Sequence, residues 1–93
     1  CPMCIITVEN FPSEDRLREL GVSDWDYWFK EISLFEWFYE EREMCYFHEG
    51  EVEVTPKGGD AVTMGAGDLV TFPQGMECIW RVNKPLKKQY IFF

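Results

Sequence analysis

After Gly21 the sequence divides into short runs of β-favouring residues separated by turn residues, and no stretch has the pattern of a long helix. Turn signals stand in the stretches HEGE, PKGGD, GAGD and PQG. Many short strands at such regular spacing are typical of all-β sandwiches and barrels. The predicted strands are residues 25–30, 34–39, 43–48, 51–55, 61–64, 69–72, 77–82 and 88–92.

One short helix precedes these strands. Ser13 suits an N-cap, Leu17 and Leu20 share a helical face, and Gly21 is placed to end the helix. The sequence therefore predicts a helix over residues 13–20 before the barrel.

Length and composition favour one globular domain over residues 1–93, with the barrel occupying about residues 25–93. The chain is 46 % hydrophobic and 17 % aromatic, which excludes the composition of a disordered segment. A chain of 93 residues buries a limited share of its surface. Self-association would add burial, so a homodimer is expected.

The charge pattern argues against nucleic acid as a partner. The chain carries 17 acidic and 9 basic residues, a net charge of −8, which repels phosphate backbones and anionic lipid. The nearest approach to a basic patch, Lys84 with Lys87 and Lys88, is too small to reverse this. No apolar run approaches the length of about 20 residues needed to span a bilayer, and no leader pattern is present, so no membrane association is expected.

The four cysteines have no common motif. Cys1 and Cys4 form a Cys-x-x-Cys stretch, but both the second ligand pair of a zinc site and the strand-to-helix context of a redox motif are missing. Cys45 and Cys78 lie in apolar runs, where a free cysteine behaves as a small hydrophobe in a reducing compartment. The expected location is the cytoplasm, or an organelle stroma after removal of a transit peptide.

Strand alternation predicts which side chains face the core. Cys78 shares its face with Trp80, and the neighbouring Arg81 points away. In the run that begins at Glu43, this carboxylate shares its face with Cys45 and Phe47. A carboxylate among apolar groups is costly unless it is paired, bound to metal or near a solvated mouth.

Two stretches resemble the motifs of the cupin superfamily. EMCYFHEG contains Glu43, six residues and Gly50, as in the end of the first cupin motif. GDLVTFPQGMEC contains Gly67, five residues, Pro73-x-Gly75, two residues and Cys78, as in the second motif. The resemblance implies a double-stranded β-helix, or jelly-roll barrel, and dimers are common among cupins of this size.

The metal ligands of the cupin motifs are mostly replaced. The positions of the two first-motif histidines hold Trp37 and Tyr39, and the second-motif histidine and asparagine are replaced by Cys78 and Val82. Only Glu43 remains. No cofactor is therefore expected, and any metal would use Glu43 and Cys78, with Cys45 as a further sulfur ligand that favours a softer ion.

The single histidine does not restore the ligand set. His48 follows Glu43 by five residues, an odd spacing that places it on the opposite strand face beside a turn. His48 is predicted to be a surface or turn residue.

Further stretches along the whole chain resemble a group of very small cupins of bacteria and plants. This group is distantly similar to ureidoglycine aminohydrolases, which use manganese, and to an ethanolamine-utilisation cupin. Stretches such as RLRELGVSDW, FEWFYEERE and KPLKKQYIFF carry this resemblance.

Two functions follow as expectations. The first is a small-molecule-binding cupin, with or without catalysis, whose site lies in the barrel mouth around Glu43 as an acid or base and Cys78 as a nucleophile. Its pocket would be lined by Trp37, Tyr39, Cys45, Phe47 and Trp80. The alternative is a noncatalytic scaffold or interaction protein with a filled interior and an exposed apolar patch around Phe38 or Phe92 and Phe93.

Overall fold

The computed structural model describes residues 5–93, and within that range the fold consists of seven strands, one α-helix and one 3-10 helix. The predicted all-β architecture with a short N-terminal helix is confirmed. Cys1 and Cys4 lie outside the described residues. In chain order the elements are β1 (Thr7–Asn10), α1 (Glu14–Leu20), the 3-10 helix (Val22–Asp24), β2 (Asp26–Lys30), β3 (Ser33–Phe38), β4 (Glu43–Pro56), β5 (Val62–Gly65), β6 (Asp68–Phe72) and β7 (Glu77–Phe92).

Two long strands form the axis of the fold. β4 and β7 pair antiparallel over their whole length, from Glu43 opposite Phe92 to Pro56 opposite Cys78. The first half of β4 also pairs with β6, and its second half with β5. The first half of β7 pairs with β3, and its second half with β2. The strands thus form two layers, β1-β6-β4-β7-β2 and β5-β4-β7-β3, which share the long pair.

The long strands correct the sequence prediction of four shorter ones. Residues 43–48 and 51–55 were predicted as separate strands, as were residues 77–82 and 88–92, whereas each pair is one continuous strand in the structure. The stretch HEGE is therefore a bend within β4 instead of a turn between strands.

Gly50 explains why the chain bends here without breaking the pairing. The β4–β7 register shifts on both sides of this residue, and its φ of +97° lies in the region that favours glycine. A Cβ at Gly50 would collide with the carbonyl of Pro85 on the partner strand. Pro85 has no N–H to donate, and it lies in the same irregular stretch, where it breaks no ladder hydrogen bond.

β1 was not predicted. It covers only Thr7–Asn10 and pairs with one neighbour, β6, at the edge of its layer. Four residues with two half-buried central positions are too few for a period of two to stand out.

The main core lies between the two layers and is rich in aromatic residues. Inward-facing side chains of both halves of β4 and β7 meet there, so one cluster joins the layers. Its buried members are Tyr39, Cys45, Phe47, Val52, Val54, Met64, Val70, Phe72, Met76, Cys78, Trp80, Val82 and Leu86.

The helix packs on the outer face of one layer and forms a second, smaller cluster. Ser13 caps α1 by accepting a hydrogen bond from the Arg16 N–H at 3.1 Å, and Gly21 ends it with a φ of +75°. This confirms the predicted helix signals. The second cluster buries Val22, Trp25 and Leu69.

Gln89 joins the second cluster to β7. Its side-chain N–H groups donate to the carbonyls of Val22 and Trp25 at 2.9 and 3.1 Å, and its Oε1 lies 2.8 Å from His48 Nε2. His48 itself is exposed, as predicted. Within residues 5–93, no helix has the length and apolar character needed to cross a membrane.

We expect Gly50→Ala to lower the free energy of unfolding by about 3 kcal/mol, because the substitution combines an unfavourable positive φ with a collision against the Pro85 carbonyl. Gly58→Ala is the matched control, since Gly58 has a φ of +77° but open space around it. The control should lose only about 1 kcal/mol. Urea unfolding of both variants measures the difference, and equal losses would contradict the role of Gly50 in the close strand contact.

Candidate functional site

A buried ion pair lies at the centre of the candidate site. Lys88 Nζ donates a hydrogen bond to Glu43 Oε2 at 3.0 Å, and each side chain is only 5 % exposed. Glu43 is the first residue of β4, and Lys88 lies in the second half of β7. The buried carboxylate that the strand pattern predicts is therefore paired, with an ammonium group as its partner.

Aromatic rings surround the ammonium group of Lys88. Its Nζ lies 4.8 Å from the ring centroids of both Trp28 and Trp80, and 5.8 Å from that of Tyr90. Trp28 is placed there by strand pairing, because it stands opposite Lys88 in the β2–β7 register. Cation–π attraction to these rings offsets part of the cost of removing the ammonium group from water.

A cavity of about 190 Å³ lies beside the ion pair. Glu43 and Lys88 are the two charged residues in its lining, and the others are aromatic. Trp37 and Phe92 are 48 % and 41 % exposed, so they form the rim of the cavity. The lining residues are Trp28, Phe35, Trp37, Tyr39, Glu43, Trp80, Lys88, Tyr90 and Phe92.

Tyr39, one of the lining residues, has a buried hydroxyl group without a hydrogen-bond partner among residues 5–93. The residue is 1 % exposed. Burial, followed by the nearby negative charge of Glu43, raises the pKa of Tyr39 above its usual range. The hydroxyl lies near the Glu43 carboxylate, which contributes to the raised pKa, but the two groups do not reach hydrogen-bonding geometry. The hydroxyl therefore stays protonated, and its hydrogen-bonding capacity is unused.

Cys78 lies outside the cavity, in the wall of a second and more open groove of about 700 Å³ that also contains Phe38 and Ile79. The thiol is buried and lies 3.6 Å from the Trp37 carbonyl. Burial raises the pKa of Cys78 to about 11. The neighbouring Trp80 indole N–H opposes this shift, but it forms no hydrogen bond to the sulfur. At neutral pH the thiol is protonated and is a weak nucleophile.

The structure separates the predicted site residues into three places. Glu43, Trp37, Tyr39 and Trp80 line the cavity. Cys45 and Phe47 are fully buried in the closed core and are absent from the cavity lining. Cys78 belongs to the outer groove.

Five cavity residues were not predicted from the sequence, and the most important of them is Lys88. It was grouped with the surface lysines, yet it is 4 % exposed. The signal was present in KKQYIFF, where alternation puts Lys88 on one face with Tyr90 and Phe92. Trp28, Phe35, Tyr90 and Phe92 are the other four.

The residues at this site do not fit the manganese centre that the distant resemblance implies. Within residues 5–93, no cluster of three or more His, Cys, Asp or Glu side chains could hold a metal ion. The Glu43 carboxylate already faces the ammonium group of Lys88, which would repel a second cation, and the Cys78 thiol is protonated.

A family model described as the EutQ-like cupin domain matches residues 17–90. The chain belongs to the EutQ-like cupin family. This confirms the predicted cupin fold, and the relation to ethanolamine-utilisation cupins. A comparison of this EutQ-like cupin with functionally curated proteins finds no match.

Solved structures agree with the family assignment. The EutQ-like cupin is similar to a DUF861 family protein from Thermotoga maritima, with 44 % identity and a TM-score of 0.92 over 96 % of this chain and 100 % of that chain. It also resembles the EutQ protein of Clostridium difficile, with 18 % identity and a TM-score of 0.67 over 99 % of this chain and 70 % of that chain. A DUF861 family protein from Pseudomonas syringae matches with 24 % identity and a TM-score of 0.65, over 72 % of this chain and 29 % of that chain. The last two likenesses show the fold alone.

We expect Lys88→Met to destabilise the EutQ-like cupin by about 3 to 5 kcal/mol, because it leaves the buried Glu43 carboxylate without its partner. The double variant Glu43→Gln, Lys88→Met removes both charges and should recover most of this loss. Urea unfolding of the two variants and the wild-type protein measures the coupling. A single variant as stable as the wild type would contradict the pairing.

The raised pKa of Cys78 gives a pH prediction. Alkylation of Cys78 by iodoacetamide should accelerate about tenfold per pH unit and level off only near pH 11, because the thiolate is the reacting form. The ordinary thiol pKa is 9.0, so unfolded protein in urea should level off two units earlier. The stability gained by keeping this thiol protonated is therefore complete below about pH 9 and is lost as pH rises toward 11. Peptide mass spectrometry measures the rate, and a plateau near neutral pH would indicate an activated nucleophile.

Proposed function

We propose that this EutQ-like cupin binds a small molecule in the cavity between Glu43 and Lys88. The observation that carries the proposal is the unpartnered hydroxyl of Tyr39, buried in the wall of a cavity that also contains a buried ion pair. Ligand pockets have this composition, with mostly apolar walls and a few polar groups that converge.

The energetics favour binding over a merely structural interior. A buried hydroxyl without a partner costs about 1 to 3 kcal/mol, and a buried ion pair is often no more stabilising than apolar residues of similar volume. An interior that only had to fold would be more stable with phenylalanine at Tyr39 and apolar residues at Glu43 and Lys88. A ligand that bonds to these groups supplies the missing compensation.

The proposed site has a different centre from the site that was predicted from the sequence. Glu43 remains, Lys88 replaces Cys78 as its functional partner, and Cys78 lines the neighbouring groove. Glu43 is the carboxylate of the cavity, so it is the residue that would act as general base in any catalysis. The proposed activity is binding, and it requires no cofactor.

The four tryptophans provide a direct test. Trp28, Trp37 and Trp80 line the cavity, whereas Trp25 belongs to the separate cluster under the helix. A ligand in the cavity should shift the indole N–H resonances of the first three in a proton–nitrogen correlation spectrum and leave Trp25 unchanged. Titration with a set of small aromatic and heterocyclic compounds measures this.

A matched pair of variants controls for nonspecific contact. Lys88→Met together with Glu43→Gln should weaken binding of any polar ligand at least about tenfold, while Lys84→Met, at an exposed lysine of the same strand, should change nothing. Shifts at Trp25 that match those at Trp80, or binding that the double variant does not affect, would count against the site.

An interaction role is the second candidate. Phe38 and Phe93 are 50 % and 52 % exposed, and Phe38 lies with the exposed Ile79 in the outer groove. Exposed apolar groups of this kind are common at protein interfaces. The homodimer expected from the resemblance remains a prediction, which sedimentation equilibrium tests. An assembly that Phe38→Glu disrupts, combined with no ligand response at Trp80, would favour this second role.

A further inference from the structure

We infer that the ligand of this cavity is a neutral, flat, single-ring molecule in which a carbonyl group stands next to an N–H group, as at the edge of a lactam. This inference rests on the proposed function and adds the chemical class of the ligand. The volume, wall shape, net charge and free hydrogen-bonding groups of the cavity each restrict the choice.

The volume of the cavity matches about one ring. The cavity measures about 190 Å³, and a buried apolar cavity of about 150 Å³ holds one benzene molecule. A six-membered ring with one or two small substituents therefore fills the space.

The walls favour a flat ring. Phe35 and Trp80 are stacked, with centroids 5.9 Å apart and planes inclined by 23°, and Trp28 meets Trp80 edge-on at 5.8 Å and 79°. The lining is therefore built from aromatic rings, and an unsaturated ring packs well against either the face or the edge of such a ring.

The net charge of the lining is zero. The charges of Glu43 and Lys88 neutralise each other at 3.0 Å, and the other lining residues are aromatic. A charged ligand would either break this pair or leave its own charge unpaired in an apolar space, and both are costly. The cavity thus selects a neutral molecule.

The free hydrogen-bonding groups require both a donor and an acceptor on the ligand. Within residues 5–93, Glu43 has one hydrogen bond, through Oε2, which leaves Oε1 free. Lys88 donates one of its three N–H groups, and the Tyr39 hydroxyl donates none. The Trp80 N–H is left out of this set because it interacts with the Cys78 sulfur, and Cys78 is not one of the lining residues.

The carboxylate of Glu43 and the ammonium group of Lys88 lie next to each other, and this arrangement matches a ligand with an N–H beside a carbonyl, as in a lactam. The Glu43 carboxylate accepts and the Lys88 ammonium donates side by side, since the two groups are in hydrogen-bond contact. A ligand N–H can reach Glu43 Oε1, while the adjacent carbonyl, which has two lone pairs, accepts from both Lys88 and Tyr39. One planar edge then bonds to all three residues.

The test compares five probes of similar size: α-pyridone, N-methyl-α-pyridone, toluene, benzoate and benzylammonium. Each is titrated into the wild-type protein while the indole N–H resonances of Trp28, Trp80 and Trp25 are recorded. Pyridone should bind roughly tenfold more tightly than its N-methyl derivative or toluene, because methylation removes the donor and toluene has no polar edge. Both ions should bind more weakly than pyridone.

The variant Tyr39→Phe gives a second readout, which distinguishes a ligand-binding role of Tyr39 from a merely structural one. It should raise the melting temperature of the ligand-free protein by roughly 4 °C, because it removes a buried unpartnered hydroxyl. The same variant should weaken pyridone binding roughly tenfold and leave toluene binding within about twofold of wild type. Tyr27→Phe is the matched control at an exposed tyrosine outside the cavity and should change neither quantity.

The outcomes of this test distinguish failure of the ligand class from failure of the proposed function. Tightest binding of benzoate or benzylammonium would overturn the neutral class, and equal binding of toluene and pyridone would overturn the lactam edge. In each of these cases the cavity still binds a small molecule, so the proposed function survives. If none of the five probes shifts Trp28 or Trp80, the proposed function fails, and this inference fails with it.

Discussion

The hydrogen-bonded ion pair between Glu43 and Lys88 is the constraint on which the interior of this protein depends. Each of these two charged side chains is only 5 % exposed, and each requires the other as a partner, since either one alone would be an unpaired charge in an apolar core. Trp28, Trp80 and Tyr90 turn their rings toward the ammonium group, and Tyr39 brings its hydroxyl beside the carboxylate.

The bend of the long strands makes this arrangement possible. β4 and β7 remain paired through the irregular stretch at Gly50 and Pro85, so each strand serves both layers. Glu43 and Lys88 lie on the same side of this bend, where β2 and β6 supply the flanking strands. The sequence prediction of separate strands missed this continuity because a glycine at positive φ suits a turn and a bulge equally well.

The family match establishes the cupin fold of this chain and leaves the loss of the cupin metal site as a prediction. The glycines and proline that shape the barrel are in place, because they serve backbone geometry. The resemblance to the cupin motifs predicts Trp37, Tyr39 and Cys78 at the positions of metal ligands, and in the structure Glu43 pairs with the ammonium group of Lys88. Belonging to the EutQ-like family therefore establishes the fold, while the chemistry has to be argued from the cavity itself.

The sequence by itself determined the short helix with its caps, the β-rich barrel and the inward face of Glu43 and Trp80. These are local properties, because caps, turn residues and a period of two act over a few neighbouring residues. Only the tertiary structure decided that Lys88, 45 residues away, is the partner of Glu43, and that Cys78 lies outside the cavity. Such contacts depend on the register between distant strands and on the bend that joins two layers, and no short-range pattern encodes either.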